Sequence, residues 1–255
     1  MAEHSTIRVD HAGPIARVTL NRPDKRNPLG PTTCGELVHA LAAIKAAAET
    51  RVVVLTGAGT AFSAGGDLSL MQGAPGAQAA SLVDLLLAMH ELGKPIIAMV
   101  NGPALAGGLG LMVACDIAIA ADTATFGTTE IAVGLWPMIV GAEIVRSIGH
   151  KKTLDMMLTG RKLDAAEALA CGLVTRVVAA AELEAATAKL AAELAERSPA
   201  AMSLGLRAFY HAQDMELEPQ LRYLESQLVQ VIGLDDAREG IAAFLGKRKP
   251  VWSGK

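Results

Sequence analysis

The run Ile96-Ile97-Ala98-Met99-Val100 is apolar throughout and rich in β-branched residues, the pattern of a buried strand. It stops at Asn101-Gly102-Pro103, and Gly107-Gly108 then opens a largely apolar segment that reads as a helix towards Asp116. Strand, glycine turn and helix in succession are one unit of an α/β architecture. Glycines at such a junction let backbone N–H groups approach a ligand closely, and the helix dipole adds positive potential there. Further on, Glu130 is the only carboxylate between Asp122 and Glu143. A backbone anion site followed by one carboxylate in an apolar setting points to carbanion chemistry beside a carbonyl. The stretch from Pro95 to Gly134 is the centre of the chain.

The same unit recurs upstream. Ile15 to Leu20 alternates as a strand, and His11-Ala12-Gly13-Pro14 reads as the turn of a hairpin with Thr6 to Val9. The turn at 21–30 follows, with Asn27-Pro28 reading as a helix cap and first helical residue and a helix running from about Pro31 to Ala48. Arg51 to Thr56 is a second buried strand, leading into Phe62-Ser63-Ala64-Gly65-Gly66-Asp67 and a helix from near Asp67. A loop with Gly73, Pro75 and Gly76 precedes a helix from about Gln78 to Leu92. Beyond the central stretch, strands are expected at 116–121, 124–127 and 174–178. Helices are expected at 138–148 and 151–159, with another capped by Asp164. From Ala181 onward the pattern is helical only, over about 181–197, 199–213, 217–231 and 235–246. Residues 1–180 thus read as strand–helix units and 181–255 as a helical region packed with them.

Composition excludes several classes. The net charge is −3, and no basic stripe carries interleaved aromatics, which argues against nucleic acid as a partner. Cys34, Cys115 and Cys171 are widely separated and the histidines are scattered, so neither a disulfide framework nor a metal site is indicated. No apolar run is flanked like a membrane span, and the first ten residues carry neither a secretory nor a transit pattern; a cytoplasmic enzyme is expected.

Ala64-Gly65-Gly66-Asp67 and Ala106-Gly107-Gly108 are physically alike, each following a β-branched run and opening a helix. One N–H from each loop could converge on a single oxygen as an oxyanion hole, where losing a donor costs about 2.7–4 kcal/mol. Taken singly, such glycines equally serve tight strand-to-helix turns. Other glycine-loop chemistries fail on spacing: Gly57-Ala58-Gly59-Thr60-Ala61-Phe62 ends in phenylalanine, and no GK[ST] or GxSxG is present. Ser63 and Ser69 lack a histidine and acid in recognisable order. Glu130 among apolar groups would have a raised pKa suited to moving protons; the structural alternative is a helix-end charge or a buried ion pair with Arg146.

Six segments in order resemble the crotonase (enoyl-CoA hydratase/isomerase) superfamily: NRPDKRNPL at 21–29, AFSAGGDL at 61–68, NGPALAGGLGL at 101–111, CDIAIAADTATFGTTEIAVGL at 115–135, LTGRKLDAAEALACGLVTRVV at 158–178 and EGIAAFLGKRKPVW at 239–252. The resemblance implies an α/β fold, a crotonase-type spiral of repeated ββα turns with a C-terminal helical trimerisation region, assembling as a homotrimer or a dimer of trimers. It implies a coenzyme A thioester as substrate, with no further cofactor, whose carbonyl sits in an oxyanion hole as an enolate forms. Carried over by position, the hole donors are the N–H groups of Gly66 and Gly107, and Glu130 is the acid/base. Lys25, Arg26, Asn27 and Ala64, with Gly65, border the CoA. Phe244 and Lys247 match a C-terminal pair that reaches a neighbouring subunit's CoA, although a solvated basic tail explains the lysine equally well. Asp67 and Asp116 match as well and read as structural, the first capping a helix and the second ending one.

One departure bears on the reaction. The family's hydratases carry a second glutamate at the position of Gly110, which has no side chain to orient a water. A single acid/base suffices for a 1,3-proton shift that moves a double bond, whereas hydration needs a held water as well. Gly110 could leave room for a water or a small anion, and Glu143 is a distant candidate for a second carboxylate. Leu135, Trp136, Met138 and Ile139 are candidates for an acyl pocket, with core packing as the alternative; Met71, Met89 and Met99 read equally as core. Decarboxylation or thioester hydrolysis on the same hole, and an RNA-binding relative that kept the scaffold, are the other readings.

Overall fold

A parallel sheet needs apolar cover on both faces, and this chain supplies it from helices at both ends of the sequence. The computed structural model describes residues 4–67 and 80–255. The expected helix start near Asp67, the loop with Gly73, Pro75 and Gly76, the beginning of the helix from Gln78, and Ser69 and Met71 lie outside the described residues. Strand β1 (Ile7–Ala12) turns at Gly13-Pro14 into antiparallel β2 (Ile15–Leu20), with Ala12 opposite Ile15. Pairing therefore runs right up to a two-residue turn, tighter than the four-residue turn expected. A 3-10 turn at Pro23–Lys25 precedes α1 (Pro31–Ala46), and then come β3 (Val52–Gly57), α2 (Leu82–His90), β4 (Ile96–Val100), β5 (Ala104–Leu105), α3 (Gly107–Val113), β6 (Ile117–Ala121) and β7 (Thr125–Gly127). A second 3-10 turn, Glu130–Val133, leads to α4 (Met138–Ile148), α5 (His150–Thr159), β8 (Leu163–Asp164), α6 (Ala165–Ala170) and β9 (Arg176–Val178). The chain ends in α7 (Leu183–Ala195), α8 (Pro199–Ala212), α9 (Leu217–Gly233) and α10 (Asp235–Leu245). Asp164 caps α6 as expected, its carboxylate accepting the Glu167 N–H at 2.8 Å.

The main sheet runs β1-β2-β3-β4-β6-β9, with every pair but the first parallel. Every residue of β3 and β4 is buried. Val53, Leu55, Ile96, Ala98 and Val100 share one core with Leu37 and Ile44 of α1, Leu85 and Met89 of α2, and Leu109 and Met112 of α3. Val52, Val54, Ile97, Met99 and Ile119 point the other way, onto Leu183, Leu190, Ala191 and Ala195 of α7. Met89 and Met99 are core residues, as composition and position suggest.

Beyond the C-terminal ends of the parallel strands, the chain builds a second, shorter layer before each helix. Leu29 bridges Gly66, Ser63 bridges Ala104, β5 pairs with β7, and β7 pairs with β8. The resulting repeat is strand, short strand, helix, the ββα turn that the resemblance implies. Two local expectations are corrected here. Asn27 is not a helix cap: it has a left-handed φ of 56°, and α1 begins at Pro31 behind Gly30. Asp116 does not end a helix: α3 stops at Val113, and the Asp116 carboxylate accepts the Ile96 N–H and the Tyr210 O–H, both at 2.6 Å, tying β4 to α8.

Candidate active site

The second layer brings the two glycine loops side by side. Leu29 donates its N–H to Gly65 O at 2.7 Å and accepts the Asp67 N–H at 2.9 Å, which straddles Gly66 and leaves its N–H outside the ladder. Ser63 donates its N–H to Pro103 O at 3.1 Å and accepts the Leu105 N–H at 2.9 Å, which locks this loop onto the one before α3. The first hydrogen bonds of α3 run from Leu109 and Gly110 to Ala106 O, so the Gly107 N–H precedes them, as helix geometry requires. Among the described residues, neither the Gly66 nor the Gly107 N–H has an acceptor. The contact depends on small residues: Gly65 has a φ of +100°, and a Cβ there would lie 2.6 Å from Ala106 Cβ. Ala106 itself holds a φ of 49°, a conformation that L side chains rarely adopt and that clusters at functional sites.

Asn27 sets the geometry of this pair from beneath. It is 1% exposed, its Oδ1 accepts the Arg22 N–H, and its Nδ2 donates to Ala58 O and Ala61 O at 2.8 and 2.9 Å. Ser63 Oγ donates to Asn27 O and accepts the Gly65 N–H at 3.2 Å. Ser63 is thus a positioning residue, a role its place in the sequence does not announce. Ala64 donates its N–H to Arg26 O at 2.8 Å, so the exposed Lys25-Arg26 turn abuts the glycine loop through backbone alone. Asp67 does not face the cavity; it pairs with Arg22 at 2.8 Å.

Gly66, Gly107 and Glu130 open onto one cavity of about 510 Å³. Leu29, Leu82, Val133, Leu135, Trp136, Met138, Ile139 and Val140 make its walls largely apolar, so the residues expected to form an acyl pocket do come together. Leu29, Cys34, Ser81, Val133 and Val140 were not anticipated, since nothing in a local pattern marks which face of α1 or α4 meets a cavity. Burial pushes the Cys34 thiol up to about 11, with Asp84 adding to it, so it stays neutral. Glu130 is the only carboxylate among the described lining residues. Its Oε2 is buried without a hydrogen-bond partner, and burial raises its pKa, offset in part by its own N–H.

Three expectations are corrected by this geometry. Arg146 makes no ion pair with Glu130; it holds Asp214 at 2.8 Å. Glu143 is no second carboxylate for the site: it faces a separate cleft of about 980 Å³ between α2, α4, α8 and α9, where it lies 3.5 Å from His90 Nε2. Gly110 leaves no room for a water or anion, because a Cβ there would lie 2.3 Å from Val140 Cγ1. Lys25, Arg26, Asn27, Phe244 and Lys247, expected at the CoA rather than in the acyl pocket, lie outside the lining of this cavity, and Phe244 is 84% exposed.

The ββα repeat, with Gly66, Gly107 and Glu130 on one apolar cavity, fits the resemblance read from the sequence, and comparison with known proteins agrees. The sequence model of the family described as enoyl-CoA hydratase/isomerase matches residues 10–255. A putative enoyl-CoA hydratase of Thermus thermophilus is 38% identical over 245 residues, 93% of this chain and 97% of that protein. The human mitochondrial enoyl-CoA hydratase domain-containing protein 3 is 36% identical over 247 residues, 94% of this chain and 80% of that one. A crystal structure from Geobacillus kaustophilus described as an enoyl-CoA hydratase subunit superposes with a TM-score of 0.92 at 34% identity, covering all of both chains. The chain belongs to the enoyl-CoA hydratase/isomerase family.

Proposed function

We propose that this protein moves the double bond of an enoyl-CoA thioester through an enolate, with Glu130 as the single acid/base. The observation that carries the reading is Glu130 itself: a buried, unpartnered carboxylate oxygen, alone of its kind among the described residues lining an apolar cavity that also holds Gly66 and Gly107. The thioester oxygen accepts the two backbone N–H groups. Glu130 takes a proton from the carbon next to the carbonyl, the C–H electrons pass into a dienolate held by the hole, and the same carboxyl returns the proton two carbons away. No bond to water forms, and no cofactor beyond the CoA of the substrate is invoked. Lys25 and Arg26 are proposed to meet the CoA phosphates, a role supported by the turn they sit on abutting the glycine loop. Phe244 and Lys247 are proposed to act on a neighbouring copy within a trimer.

Hydration of a 2-enoyl-CoA is the second reading, favoured by relatives whose names specify hydratase. Incubating the purified protein separately with 3-enoyl-CoA and 2-enoyl-CoA, and following double-bond migration and hydration, separates the two. Isomerisation is expected to dominate, and loss of both rates in Glu130→Gln is expected. Unchanged rates in that variant would overturn the role of Glu130.

A further inference from the structure

Gly110 lies three residues beyond Gly107 in α3, and helical spacing puts the two on one face. A side chain at 110 would therefore rise beside the carbonyl that Gly107 receives. Val140 of α4 stands there instead. Its Cγ1 and Cβ lie 2.3 and 2.9 Å from where a Cβ on Gly110 would sit, so the two positions share one volume and only one can fill it. Val140 is 3% exposed, and it also lines the cavity that holds Glu130.

From this packing we infer that Val140 is a specificity-determining residue: it seals the α3–α4 wall with methyl groups and so denies water a place beside the acyl carbons on which Glu130 works. The inference rests on the enolate reading above and adds to it the residue that decides what the enolate-forming site does next. Without a held water, the proton on Glu130 has only the acyl carbons to return to, which is isomerisation. With a water in place of the valine methyls, Glu130 accepts one water proton as the water oxygen bonds to the carbon β to the thioester. The double-bond electrons move into the enolate, and the same proton then passes from Glu130 to the α carbon, giving the 3-hydroxyacyl thioester. The wall that excludes water also explains why position 110 is glycine: any side chain there displaces Val140.

The test is the ratio of hydration to isomerisation in Val140→Ala, Val140→Ile and the double variant Gly110→Glu/Val140→Ala, with Glu130→Gln as control. Val140→Ala is expected to raise the ratio at least about tenfold, and Val140→Ile to leave it at or below that of wild type. Gly110→Ala alone is expected to unfold at lower temperature than wild type, and Val140→Ala to recover part of that loss, because the second change vacates the volume the first invades. The double variant with glutamate is expected to hydrate faster than Val140→Ala. Should Val140→Ala fail to fold, the Gly110→Glu/Val140→Ala protein carries the same test, since its new side chain refills the volume. An unchanged ratio in the folded variants, with Glu130→Gln inactive, overturns the role of Val140 alone. An active Glu130→Gln overturns the enolate reading on which it rests.

Discussion

A carboxylate can serve as a base only where its charged form is tolerated, which is the condition on the role proposed for Glu130. Burial raises its pKa above the ordinary glutamate value, since removing water penalises the anion. The activity that needs the anion should therefore rise with pH through a midpoint above that of a solvated glutamate, and the pH profile of kcat/KM measures it. Replacing Glu130 with glutamine should lower kcat by about 10²–10⁴-fold. The same shift has a stability consequence. Because the folded pKa exceeds the unfolded one, the stability Glu130 contributes is complete below the unfolded pKa and is lost as pH rises through the folded one. Glu130→Gln should then raise Tm at neutral pH and do little below about pH 4, where wild type is protonated in both states. That Glu130 is lone and set among apolar residues was legible from its neighbours in sequence. Its separation from Arg146 was not, because Arg146 reaches Asp214, 68 residues away.

At the scale of elements, the site depends on loops that borrow rigidity from one another. Asn27 joins the turn before α1 to the loop after β3 through two hydrogen bonds, to Ala58 O and Ala61 O, and closes its own turn by accepting the Arg22 N–H. Asn27→Ala should cost about 1–3 kcal/mol for each group left buried and unpaired, read by denaturant unfolding, and should lower kcat as the Gly66 N–H loses its setting. The place of Asn27 in a turn was legible from its neighbours, but its role was not. Asn before Pro favours a cap, whereas tertiary acceptors at Ala58 and Ala61 hold this one in a left-handed conformation. The strands and helices themselves were legible. β4 and α4 lie at their expected bounds, since uninterrupted burial and amphipathic spacing are local signals. The two-residue strands β5 and β8 were not, because they exist only through pairing with β7.

For the whole molecule, the C-terminal helices do two kinds of work. α7 closes the second face of the sheet, and Leu190, 5% exposed, packs there with Val54 and Ile97 among others. Leu190→Ala should cost about 2–5 kcal/mol, measured as a shift in the unfolding midpoint. α9, in contrast, has no buried residue, and Leu217, Leu221, Leu224, Leu228 and Ile232 form an exposed stripe along it. Such a stripe fits the proposed trimer. Leu221→Lys with Leu228→Lys should lower the mass seen by light scattering towards that of one chain while leaving the unfolding of the monomer little changed. Among the described residues, no helix is long and apolar enough to cross a membrane.

The sequence by itself determined the succession of strands and helices, the glycine turns that end β3 and β4, and the presence of one carboxylate in an apolar stretch. These follow from periodicity and from the backbone freedom of particular residues, which act over a few positions. The tertiary structure decided that Gly66 and Gly107 open onto one cavity, that Glu143 faces another, and that Val140 fills the volume over Gly110. Each of these is a contact between segments tens of residues apart. Such contacts are fixed by which side chains can share a packed interior, and no local pattern records that choice.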